Sequence, residues 1–283
     1  MTRGVHIALM GIDGAGKTTL ALLLAQRLES MGFSAEVVSW KQARKTDTPV
    51  GRVLCEMSAI IDATHHALGS RLAERSPSAE TDATDRLAPQ RPSGAGLRGG
   101  AQRARSSRFA SAALLELSGS LIFHDEYIAD RVNAGKIVID ESYGHKHVLK
   151  NALLEKRCKS EGLNNSEASD EIISFSAELL ARIAPPDFGY FLNTAPDLAR
   201  KWRRAANIAD SMFESYAILD RGKTDTFLQM QHDCVHWFRT AAEKWNWKTI
   251  ETADRSLSEN MEPAINAILA DIRPTMQRSR AHP

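Results

Sequence analysis

Gly11-Ile12-Asp13-Gly14-Ala15-Gly16-Lys17-Thr18 fits G-x-x-x-x-G-K-[ST], the phosphate-cradling loop called Walker A. The flanks agree with it. Upstream, Val5-His6-Ile7-Ala8-Leu9-Met10 is a short apolar run suited to a buried strand. Downstream, Thr19 to Leu28 is a strong helix former. A helix N-terminus at this point aims unpaired backbone N–H groups and a positive dipole end at phosphate oxygens. Gly11, Gly14 and Gly16 let the backbone approach the phosphates and take positive φ where needed. Lys17 is expected to reach the β- and γ-phosphates of a nucleoside triphosphate, and the Thr18 hydroxyl to ligate Mg²⁺. The nucleotide contact is thus read over Gly11, Ile12, Asp13, Gly14, Ala15, Gly16, Lys17, Thr18 and Thr19. The dinucleotide pattern G-x-G-x-x-G does not fit, because Ile12 and Asp13 separate Gly11 from Gly14.

The 283 residues suit one large α/β domain or two small ones, and an apolar content of 43% supports a sizeable core. A net charge of +1 gives no bias toward nucleic acid or membrane. The three cysteines, Cys55, Cys158 and Cys234, are far apart and odd in number. They read as reduced, buried thiols in a cytoplasmic protein, and no C-x-x-C supports a zinc site. The first strand begins almost at once, leaving no room for a signal peptide. No apolar run approaches 18 residues, so no membrane span is expected.

Four more strand candidates follow: Ser34 to Trp40, Lys136 to Asp140, Phe188 to Asn193 and Trp247 to Thr252. Helical patterns lie between them. Asn133-Ala134-Gly135 reads as a C-cap, and a long helix is expected from Asp225 to Trp245. Alternating short apolar strands and helices argue for an α/β fold with a parallel sheet covered on both faces. Ligands then bind past the carboxyl ends of the strands, near the glycine loop, Trp40-Lys41-Gln42, Asp140-Glu141-Ser142 and Thr252-Ala253-Asp254. Residues 76–108 break the pattern. They are rich in Ser, Ala, Gly, Pro and Arg, and are read as a disordered insertion or a mobile basic arm within one domain spanning 1–283. No aromatic residue interleaves these arginines before Phe109, so the stacking platform for a single-stranded nucleic acid is missing. His145 and His147 stand at i and i+2 on an expected helix and point apart, a poor metal pair. His232 and His236 share a face without a third ligand.

With the loop, strand order and spacing in place, the chain resembles thymidylate kinase and its nucleoside-monophosphate kinase relatives. The resemblance is carried by Gly11 to Leu20, by Thr48-Pro49-Val50-Gly51-Arg52-Val53-Leu54 and by Ile139-Asp140-Glu141-Ser142-Tyr143. Tyr190 to Asp197 and Trp247 to Ala253 add the fourth strand and the last strand with its adenine-side loop. It implies a P-loop NTPase three-layer sandwich with five parallel strands in the order 2-3-1-4-5. It implies ATP and Mg²⁺, with Asp140 beside Thr18 as metal-holding residues and Ala253 near the adenine. A lid after the fourth strand would carry Arg200, Arg203 and Arg204, with Arg221 a little later. Phosphoryl transfer calls for such a cation, because charge develops on the transferred group's oxygens.

The chain departs from the resemblance at the acceptor. The family's Asp-Arg motif is Asp140-Glu141 here, and a second acceptor-contacting Arg falls at Ser120 or a neighbour in Leu117-Ser118-Gly119-Ser120. An anion in place of a cation repels an acceptor phosphate by several kcal/mol at close range, which argues against ordinary thymidylate. Two explanations stay open. The acceptor is a hydroxyl, as in nucleoside kinases, with Glu141 or Asp13 taking its proton. Alternatively it is a monophosphate gripped by other cations such as Lys41, Arg44, Lys45 or the basic insertion. Glu141 also reads as a structural carboxylate paired with Lys146 or His145. A nucleotide-binding switch that transfers nothing is the alternative of a different class, although no guanine-reading Asn-Lys-x-Asp occurs. The expected partner is a small phosphoryl acceptor. Many relatives are homodimers, but no helix face in the sequence establishes one here.

Overall fold

The structure, a computed structural model, describes residues 3–74, 108–160, 168–209, 214–219 and 225–281. Arg221 and the 76–108 insertion, apart from Arg108, lie outside the described residues.

Strand β1, Val5–Gly11, is buried at all seven positions. A strand apolar on both faces belongs at the centre of a parallel sheet covered by helices on each side. It pairs in parallel with β3, Ile137–Asp140, on one edge and with β4, Phe188–Asn193, on the other. β2, Ala35–Val38, pairs with β3, and β5, Lys248–Glu251, pairs with β4. The order is β2-β3-β1-β4-β5, as the resemblance implied. Helix α1, Lys17–Ser30, follows the glycine loop and packs its Leu20, Leu24 and Leu28 inward. It contacts α10, Leu257–Ala281.

The second strand stops two residues short of the sequence reading. Ser39 Oγ accepts the Gln42 amide at 3.3 Å and caps a short helix, α2, Trp40–Ala43. A capping hydroxyl outcompeted the strand propensity of Trp40. Helix α3, Pro49–Glu74, comes next. Helix α4, Arg108–Phe123, runs through a π-helical turn, His124–Ile128, into α5, Ala129–Asn133. Gly135 at φ 84 then ends that run, where the sequence placed a C-cap. After β3 come α6, His145–Ser160, and α7, Ser169–Ile183. α8, Pro196–Ala205, follows β4, and α9, Thr226–Lys244, precedes β5.

This order places β1 between strands whose crossovers leave in opposite directions. The crevice at its carboxyl end is the switch point where such sheets bind ligands. Register aligns Ala8 with Asp140 and Gly11 with Leu192, so the glycine loop and Asp140-Glu141-Ser142 open onto the same end. Among the described residues, no helix is long and apolar enough to cross a membrane.

Candidate active site

The loop between β1 and α1 wraps the start of α1. Lys17 Nζ donates to the carbonyls of Gly11 at 2.9 Å and Ile12 at 2.7 Å. Gly14 and Gly16 take φ of 83 and 87, a region costly for any side chain. A Cβ on Gly14 would also stand 2.8 Å from the Ala199 carbonyl oxygen of α8. Gly14→Ala is therefore expected to distort the loop, cost about 1–3 kcal/mol, and weaken nucleoside triphosphate binding at least tenfold by calorimetry. Unchanged melting temperature and affinity would contradict this account.

Asp13 is the centre of the site. Its Oδ1 meets Lys146 Nζ at 2.6 Å and its Oδ2 meets Lys150 Nζ at 2.5 Å. Gln231 of α9 brackets it, its Oε1 accepting the Asp13 amide at 3.0 Å. Burial alone would raise the Asp13 pKa, but Lys146 and Lys150, then Lys17, hold it well below the usual carboxylate range. Lys17 is pushed well below the ordinary lysine range, by burial first and then by Lys146. Three ammonium groups thus share one carboxylate, an arrangement that favours a bound anion.

The sequence reading missed this pair and offered Lys146 to Glu141 instead. The signal was present: Lys146 and Lys150 stand at i and i+4, on one face of the helix that follows Asp140-Glu141. Glu141 has no ion pair among the described residues, and its buried Oε2 has no hydrogen-bond partner.

A cavity of about 780 Å³ joins these groups. Gly14, Gly16, Lys17, Thr18 and Thr19 wall one end. Asp13, Glu141, Lys146 and Lys150 lie along it, and Trp40, Asp62, His65, Glu116 and Asn151 also line it. His65 Nε2 and Asn151 Oδ1 are 2.7 Å apart, and Trp40 Nε1 donates to Ser58 Oγ at 3.0 Å. Lys41 and Arg44 line the cavity, whereas Lys45 does not. Ser120, read as a substitute for an acceptor arginine, does not reach it. It donates to the Glu116 carbonyl and packs against Gly144, while the Trp40 ring covers Gly119. Glu116, one helical turn earlier, is the residue of α4 that lines the cavity.

Of the three arginines on α8, the structure brings one to the loop. Arg203 is buried, and its side chain passes over Gly14. It pairs with Glu214 at 2.7 Å and donates to the Ala209 carbonyl. Arg204 is exposed, and Arg200 pairs with Asp225. Neither lines the cavity. Ala253 is exposed and bonded through its backbone to Asn260, also away from the cavity wall.

Asp140 is buried at the end of β3 and accepts the Ser142 amide at 3.1 Å. Burial pushes its pKa up to about 7, and the neighbouring Glu141 adds to the shift. Thr18 lines the cavity and Asp140 does not, although its neighbours Glu141 and Ser142 do; a buried carboxylate without a cationic partner among the described residues has the chemistry of a Mg²⁺ ligand. Such a site needs only one or two protein oxygens, because substrate phosphates and water complete the shell. No group of three or more His, Cys, Asp or Glu placed to hold a metal ion occurs among the described residues. His145 is buried beneath Trp245, while His147 lines the cavity.

No family model matches the chain. A probable thymidylate kinase from Pyrococcus abyssi is 44% identical over 63 residues, 21% of this chain and 29% of that protein. A probable adenylyl-sulfate kinase from the same organism is 48% identical over 46 residues, 16% of this chain and 26% of that protein. The matched stretches thus span less than a third of these curated relatives. A solved thymidylate kinase structure from Candida albicans superposes with a TM-score of 0.53 at 13% identity, covering 97% of this chain and 93% of that one. Together with the strand order and the glycine loop, these likenesses give the chain the P-loop NTPase fold in the form seen in thymidylate kinase.

Proposed function

We propose that this chain is an ATP- and Mg²⁺-dependent phosphotransferase acting on a nucleoside monophosphate or a related nucleoside-like acceptor. One observation carries the reading. The triphosphate loop and the lysine pair Lys146 and Lys150 line one cavity of about 780 Å³, within the range of small-molecule sites. Lys17 and the amides of residues 11–19 hold the triphosphate. Thr18 and Asp140 would hold Mg²⁺, which would supply positive charge against the phosphates as negative charge develops. An acceptor oxygen attacks the γ-phosphorus, the bond to the β–γ bridging oxygen breaks, and ADP leaves. Arg203, which lines the cavity beside Gly14, would neutralise the transferred group's oxygens by exchanging Glu214 for them. A phosphate acceptor arrives already deprotonated and needs no base.

A second reading, transfer to a hydroxyl, is favoured by the unpartnered Oε2 of Glu141. Asp13, with its pKa held low, is a weak base for that proton, which leaves Glu141 to take it. ADP release against a panel of nucleosides and monophosphates separates the readings. Monophosphates are expected to stimulate release. If they do so only in Glu141→Arg, while nucleosides drive the wild type, the hydroxyl reading holds. Tight ATP binding with no acceptor-stimulated release would instead mark a non-transferring nucleotide switch.

A further inference from the structure

Resting on the kinase reading, we infer that Lys146 and Lys150 grip the acceptor's phosphate and that Glu116 selects an acceptor base bearing an exocyclic amine. In-line transfer sets the position of the acceptor phosphate. Its oxygen must come within about 3–3.5 Å of the γ-phosphorus, which Lys17 holds. The cations able to receive it are therefore those next to Lys17. Lys146 and Lys150 fill that place, tied to the loop through Asp13. They supply on α6 the positive charge that position 141 lacks. An arriving phosphate gives the three ammonium groups a second anion to share with Asp13.

The cavity's composition changes away from the loop. Trp40 of α2 and Glu116 of α4 form walls of the same space that Lys150 lines. The Glu116 carboxylate makes no hydrogen bond or ion pair among the described residues. Burial, then Asp62, pushes its pKa up to about 7, while Lys150 and Arg44 act against that. A carboxylate in this setting is short of donors. Carboxylates accept from the exocyclic amine of cytosine and from the adjacent N1–H and N2–H groups of guanine, whereas thymine and uracil offer a single N3–H flanked by two carbonyls that a carboxylate repels. Trp40 is an aromatic wall beside it for a base.

The test is direct binding, measured by calorimetry without ATP, of dCMP, dGMP, dTMP, deoxycytidine and deoxyguanosine. dCMP or dGMP is expected to bind at least about 10-fold tighter than dTMP, and at least about 100-fold tighter than either nucleoside. Glu116→Gln should remove the preference over dTMP, and Lys150→Gln the preference over nucleosides. Binding of dTMP as tight as dCMP and dGMP, or nucleosides binding as tightly as monophosphates, overturns the assignment. So does a ranking that survives Glu116→Gln. If Lys150→Gln fails to fold, the Glu116 arm and the phosphate-against-nucleoside comparison decide. Retained ranking with no ADP formed on adding ATP would sink the kinase reading and leave this binding assignment standing.

Discussion

Lys17→Ala is expected to lower acceptor-dependent ADP formation by about 10³-fold with the fold intact. The size follows from what the ammonium does in the transition state. Removing one preorganised donor aimed at developing charge costs about 10²–10³ in rate, and a full cation beside a transferring phosphoryl group is worth more. Little structural loss should accompany it. Lys17 Nζ is held by the backbone carbonyls of Gly11 and Ile12, a few residues away in the chain, rather than by a distant side chain. Burial and the neighbouring lysines already press its pKa down, so removing its charge relieves repulsion in the ligand-free protein. The variant should melt at or slightly above the wild-type temperature while losing turnover. Wild-type turnover in Lys17→Ala would refute the donor assignment. A collapse of the melting temperature would show that the lysine supports the fold rather than the reaction.

The features that set the fold were local in the chain, and the features that set the acceptor were not. β1 and its loop were legible because an unbroken apolar run, a glycine pattern and a helix former are contiguous. β4 matched residue for residue, since Phe188 to Asn193 carries few competing signals. Trp40 was misassigned because a serine cap is worth as much as β propensity and acts on the opposite side of the same residue. The acceptor end depends on helix phase. Ser120 and Glu116 are one turn apart on α4, and only packing of Trp40 over Gly119 and Ser120 against Gly144 decides which reaches the cavity. Arg200, Arg203 and Arg204 posed the same problem on α8, where ion pairs hold Arg200 outward and Gly14 gives room for Arg203. Lys146 was offered to Glu141 and Lys150 was not singled out, because no spacing rule links them to Asp13, more than a hundred residues earlier.

Asp13→Asn keeps the shape of that side chain and removes its charge, and is expected to destabilise the protein by about 2–4 kcal/mol at pH 7. Deleting one partner of a buried ion pair costs about 3–5 kcal/mol, because the other charge is left without compensation. The lower figure applies because Lys146 and Lys150 stand on a cavity wall, where water or a solute anion can reach them. For a chain of this size the melting temperature should fall by about 4–12 °C. The sign with pH follows from the shift. The folded-state pKa of Asp13 lies below its unfolded value of 3.8, so its contribution is complete above that value. It is lost as pH falls through the folded pKa, so wild type and variant should differ fully at pH 7 and converge only in strong acid. Anion rescue separates this account from simple loss of packing. Inorganic tripolyphosphate should raise the melting temperature of Asp13→Asn more than that of the wild type, because the variant's three ammonium groups have no carboxylate of their own. Equal stabilisation of both proteins would mean that the lysines are already satisfied without Asp13, and would remove the electrostatic basis for placing an anion there.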